Sequence, residues 1–150
     1  MKKWSAVFAF LLLLCTVVGC SHTAVTVDMD ASVDYIMTNI VFEDTLEELD
    51  RDVIAWRYGI ADSVEARAFA GSGATAEEIC IMQASDEAEA AELFAGLEQY
   101  LADTRSSFEN YQPEEVKKID QAFFGQYGNT VILVISADAD AEAKLTEYFK

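Results

Sequence analysis

Residues 127–136 read YGNTVILVIS, and the five side chains from Val131 to Ile135 are all apolar. Neighbouring side chains of a strand point to opposite faces of its sheet. A strand with one wet face would therefore alternate, and this run does not. Its length and β-branched content suit a strand, so it is expected inside a sheet and covered on both faces. Gly128-Asn129 in front of it is a two-residue turn with glycine first. That makes QAFFGQY, residues 121–127, the antiparallel partner in a hairpin.

The same reading extends upstream. VEARAFA (64–70) and EICIMQA (78–84) are strand-like and joined by GSGATAE, a glycine-containing hairpin loop. Asp86 and Glu89 make a capping-box pair ahead of Ala90, Leu93, Phe94, Leu97, Tyr100 and Leu101. That apolar stripe predicts a helix over 87–103. NYQPEEVKKI (110–119) reads as a loop turning into a short helix, with Pro113 in its first turn. Asp138 is expected to cap a final helix over 139–149, carrying Ala141, Leu145, Tyr148 and Phe149. Near the start, Ser32 is expected to cap a helix with Val33, Ile36, Met37 and Ile40 on one face. Asp50 would cap a second through Val53, Ile54 and Trp56, closed by Gly59. The fold class is α+β: two N-terminal helices then ββαββα, a largely antiparallel four-stranded sheet with helices packed on it.

The amino end has another character. Lys2-Lys3 precedes an apolar run from Ala6 to Val18. About thirteen such residues is the core length of a signal peptide, short of the roughly 20 that a membrane-spanning helix needs. Val17-Val18-Gly19-Cys20 resembles the lipobox of bacterial lipoproteins. The resemblance implies cleavage after Gly19 and acyl chains such as palmitate carried on the Cys20 sulfur. Cys15 fits that pattern badly, because Leu14 before it is large. The chain is thus expected to divide into a signal peptide (1–19), a lipidated cysteine and tether (20–30) and one domain (31–150). Its expected place is the extracytoplasmic face of the cell membrane, lipid-anchored. Once Cys15 is removed and Cys20 acylated, Cys80 is the one thiol left of three, and stability must come from the core rather than from a disulfide.

The chain of 150 residues has 27 acidic and 10 basic side chains and a net charge of −17. Without Lys2 and Lys3, eight basic residues face 27 acidic ones, a balance of −19. Nucleic acid is excluded as a partner, since phosphates are held by Lys and Arg. Anionic headgroups would also repel this surface, so the membrane is expected to be held through a covalent lipid anchor.

No constellation of catalytic residues stands out. The single histidine, His22, lies in the tether, where it is not expected to serve a nucleophile. One domain cysteine cannot build a common zinc site. Cys80, between Ile79 and Ile81, reads as a small buried residue, without the neighbouring cation that a reactive thiol needs. Asp138, Asp140 and Glu142 lack the glycine and glutamate of a calcium loop, because Ala143 and Phe149 fill those places. Gly71-Ser72-Gly73 lacks the Lys-Ser/Thr ending of a phosphate loop. Glu77-Glu78 and Glu114-Glu115 could serve glycoside hydrolysis as carboxylate pairs, but in so acidic a chain they are expected on a solvated surface. Tyr58 and Tyr111 are the candidates for lining a groove. No cofactor and no metal are expected.

FEDTLEELDRDVIAWRYGI, GSGATAEEICIMQASDEAEA, NYQPEEVKKI and YGNTVILVIS, in that order, resemble the bacterial lipoprotein family catalogued as domain of unknown function 4358. The resemblance covers about residues 33–150. Its most specific pieces are Tyr58-Gly59-Ile60, the stretch from Gly73 to Ile79, and Tyr111-Gln112-Pro113-Glu114-Glu115. It implies a Gram-positive-type surface lipoprotein and carries no catalytic residue over. The expectation is a non-enzymatic binding or interaction module that meets a protein or small-molecule ligand at the cell surface. The alternative is a carboxylate-based cell-wall hydrolase.

Overall fold

The computed structural model describes residues 27–150. Gly19, Cys20 and His22, and with them the expected signal segment, lie outside the described residues. The elements run α1 (Met29–Asn39), β1 (Glu47–Glu48), α2 (Arg51–Tyr58), β2 (Glu65–Ala70) and β3 (Glu78–Gln83). They continue with α3 (Glu87–Tyr111), a 3₁₀ turn (Pro113–Glu115), α4 (Val116–Asp120), β4 (Phe123–Tyr127), β5 (Thr130–Ile135) and α5 (Ala141–Tyr148). The sheet has five strands in the order β1-β2-β3-β5-β4, with every neighbouring pair antiparallel.

The run Val131–Ile135 behaves as its composition demands. β5 lies between β3 and β4, and all six of its residues are buried. Val131, Leu133 and Ile135 join Cys80 and Met82 in a core covered by Ile54 and Tyr58 of α2, Ala90 and Leu97 of α3, and Ile119 of α4. Ile132 and Val134 join Ile79 and Ile81 on the other face, under Val33 and Ile36 of α1 and Ala141 and Leu145 of α5. Tyr35 and Tyr148 stack at 3.9 Å and tie those two outer helices together. Gly128 takes φ +60° while Asn129 keeps a negative φ, the pairing of a turn with glycine first.

Four expectations need correction. The sheet has five strands rather than four, because Glu47 and Glu48 pair with Ala70 and Phe69. The first helix starts at Met29 with Asp28 as its cap, accepting from the Ala31 N–H. Ser32 is buried inside that helix, its hydroxyl donating to the Asp28 carbonyl at 2.6 Å. The third helix runs on to Tyr111 instead of ending near 103. Asp138 does not cap α5, whose cap position is Asp140. Its carboxylate instead accepts from the Val41 N–H at 3.2 Å and from Lys144 Nζ at 2.6 Å, joining the end of α1 to the chain leaving β5.

Leu133 is fully buried on the α3 side. Leu133→Asp would place an unpaired carboxylate there, at a cost of several kcal/mol, against a total stability on the order of 5–15 kcal/mol. The variant should be unfolded or aggregated, and Glu98→Gln on an exposed turn of α3 should melt like wild type. A cooperative thermal transition of Leu133→Asp at the wild-type midpoint would contradict the two-sided cover.

Candidate functional site

Acidic side chains that the sequence places on the surface are buried at one end of the sheet. Glu77 and Glu78 are each 1 % exposed and Glu115 is 6 % exposed; of the four glutamates in the two pairs, Glu114 alone is exposed. Burial of ionised groups requires partners, and each of the three has them.

Lys118, the third residue of α4, holds two of these together. Its ammonium lies 3.2 Å from Glu77 Oε1, 3.0 Å from Glu115 Oε1 and 2.6 Å from Glu43 Oε2. Burial alone would lower its pKa, but the carboxylates of Glu43, Glu115 and Glu77 outweigh that and hold it above the usual lysine range. Glu77 also accepts from the backbone N–H groups of Glu43 and Asp44, each at 2.8 Å. Glu115 accepts from the Ala76 N–H at 3.0 Å. One cation and two buried carboxylates thus fasten the loop before β1, the end of the β2–β3 loop and α4.

Glu78 opens β3 on the face that carries Cys80 and Met82. Its Oε2 accepts from Arg57 Nη2 at 2.6 Å and from the Tyr100 hydroxyl at 2.8 Å, while Oε1 has no partner among the described residues. Arg57 Nε and the Tyr58 hydroxyl are also buried without a hydrogen-bond partner, although the Tyr58 hydroxyl neighbours the Cys80 thiol. Desolvation raises the Glu78 carboxyl above its usual value, with Arg57 and Tyr100 opposing it. Burial likewise pushes the Cys80 thiol well up, and this fully buried sulfur packs within the core.

Above this network lies an open depression of about 360 Å³, lined by Trp56, Arg57, Tyr100, Thr104, Ser107 and Phe108. Trp56 is 85 % exposed at its rim. The two groove candidates are not brought together in the lining. Tyr58 is 7 % exposed and packs edge-on against Tyr100 at 4.9 Å. Tyr111 is 69 % exposed and meets Phe108 at 6.3 Å. Each stands one side chain behind or beside a lining residue. The burial of Glu77, Glu78 and Glu115 was missed because their partners, Lys118 and Arg57, are distant in sequence. The exposure of Trp56 had one signal, its place beside charged Arg57 on a short helix.

The chemistry open to the depression is recognition by aromatic surface, one guanidinium and the hydroxyls of Thr104 and Ser107, the Tyr100 hydroxyl being engaged by Glu78. Its lining holds no carboxylate, and Glu78 sits behind Arg57 and Tyr100. Among the described residues, no group of three or more His, Cys, Asp or Glu side chains could hold a metal ion. None of the described helices is long and apolar enough to cross a membrane.

A family model described as Domain of unknown function (DUF4358) matches residues 39–136, which includes the Lys118 and Glu78 clusters and excludes α5. No curated protein and no solved structure matches the chain.

Lys118→Met should strand Glu77 and Glu115 without their cation and lower stability by about 3–5 kcal/mol, read as the shift in a urea unfolding curve at neutral pH. A variant as stable as wild type would refute the role given to the ammonium. For Glu78 the sign follows from its raised pKa. The folded chain holds this proton over a pH interval where the unfolded chain, with a value near 4.5, has lost it. The Glu78 contribution is therefore largest below that value and is lost as pH rises through the folded-state pKa. The stability of wild type relative to Glu78→Gln should fall across that interval; a difference that rises or stays flat would contradict the assignment.

Proposed function

The chain belongs to the family described as Domain of unknown function (DUF4358), and from that premise we propose that it is a lipid-anchored, extracytoplasmic interaction module without catalytic activity. The anchor reading is supported by Val17-Val18-Gly19-Cys20 behind an apolar run of signal-peptide length. The interaction reading is carried by Trp56. A side chain of this size standing 85 % exposed beside a depression is costly to leave in water and belongs to the residue types that dominate binding energy when covered. The acidic surface suits a partner that is neutral or basic rather than anionic.

The hydrolase alternative asks for two carboxyl groups about 5–9.5 Å apart across a cleft. The depression beside Trp56 is lined without carboxylates, and in the acidic hollow next to β4 Asp120 and Asp138 are held by Arg105 and Lys144, which favours binding over that chemistry.

Two measurements test the parts separately. Mass spectrometry of the mature protein should find diacylglycerol on Cys20, and Cys20→Ala should move the chain out of the membrane fraction; an unmodified Cys20 sinks the anchor. A photo-crosslinking residue placed at position 56 in growing cells should give a discrete adduct that one at position 98 does not. Equal labelling from both positions would remove Trp56 from the interaction.

A further inference from the structure

The two edges of the sheet are unlike. β1, on one side, is two residues long and both are glutamates. Short, charged strands of this kind block the addition of another strand. β4, on the other side, is Phe123-Phe124-Gly125-Gln126-Tyr127, with no charged residue and no proline. Tyr127 and Thr130 flank the two-residue turn and close the hairpin. Antiparallel alternation then turns the N–H and C=O groups of Phe124 and Gln126 away from β5. Among the described residues nothing hydrogen-bonds those groups. The strand is an unguarded template.

The surroundings say what fits it. Asp120, Gln121 and Ala122 lead directly into β4, and with Asp138, Ala139 and Glu142 they line a hollow of about 270 Å³. Arg105 occupies Asp120 and Lys144 occupies Asp138, while Glu142 has no ion-pair partner among the described residues. The chain as a whole carries −17. We propose that β4 accepts an extended segment of a basic protein partner as a sixth strand. Main-chain bonds form to Phe124 and Gln126, and a Lys or Arg side chain of the partner enters the hollow beside Glu142. Backbone pairing supplies affinity, and the charged side chain supplies choice of partner. A second copy of this chain is disfavoured because it brings the same strongly negative charge. This edge is distinct from the Trp56 depression on α2, so the proposal does not rest on that site.

The probe is the capped peptide acetyl-Lys-Thr-Val-Thr-Val-Thr-Lys-amide, added to the purified full chain in detergent. Amide hydrogen exchange is read residue by residue. Exchange at Phe124 and Gln126 should slow on binding, and the same peptide with Glu for Lys should bind at least several-fold more weakly. Of two versions N-methylated at alternate residues, one should lose binding and the other keep it, since only one set of peptide N–H groups faces β4. Gln126→Pro, at a position where an edge strand tolerates proline, should abolish the slowing, whereas Gln126→Thr should retain it. If Gln126→Pro fails to fold, the N-methylated pair decides. Unchanged exchange at Phe124 and Gln126, or equal binding of both N-methylated peptides or of the Glu peptide, overturns the proposal. So does protection that rises with protein concentration without peptide, together with a doubled mass in sedimentation, since a second copy would then occupy the edge.

Discussion

Everything in this domain is arranged around two strands that have no dry alternative. β3 and β5 lie next to each other, and from Ile79 to Met82 and Val131 to Ile135 no side chain reaches water. Burying such a pair on one face only would leave the other wet, so the chain supplies helices to both. Two sets of connections follow. Helices α1 and α5, from the two ends of the described chain, meet on one face, and α2, α3 and α4 take the other. The aromatic stack of Phe94 on Phe124 at 4.2 Å and that of Phe123 with Phe149 at 5.9 Å hold β4 between the same two layers.

What a sequence shows in such a case is the part set by local period. The hairpin turn at Gly128, the strands at 65–70 and 78–83, and the capping of α3 by Asp86 are local facts and were legible. β1 was not, because two glutamates carry no alternation and become a strand only through pairing with Ala70 and Phe69. The start of α1 was missed for a related reason. Asp28 and Ser32 are both good cap residues, and the choice went to Asp28 because Val27 and Val33 both pack into the core. The buried glutamates were the largest miss. Nothing near Glu77 or Glu78 in sequence announces Lys118 or Arg57, which the fold alone brings within 3.2 Å and 2.6 Å.

The stretches that carry the family resemblance are the ones that build these polar clusters. Tyr58 lies in the first, Glu77 and Glu78 in the second, and Glu115 in the third. Their interior members are engaged in fastening loops and helices to the end of the sheet. A buried ion pair stabilises little against a well-packed apolar substitute, but losing one member is expensive. Such a cluster constrains sequence without any chemistry on a substrate. That accounts for acidic motifs whose buried carboxylates are taken up by partners within the fold.

Cys80 has a consequence for the life of the molecule. With its thiol fully enclosed by the core, a folded copy offers an oxidant nothing to act on. A copy that opens exposes a sulfur for which the described residues hold no second thiol. In oxidising surroundings unfolding is then recorded covalently, as cross-linked pairs or mixed disulfides that cannot refold. The integrity of the core and the chemical homogeneity of the population become the same quantity, and a sample that stays monomeric without reductant certifies that its molecules have remained closed.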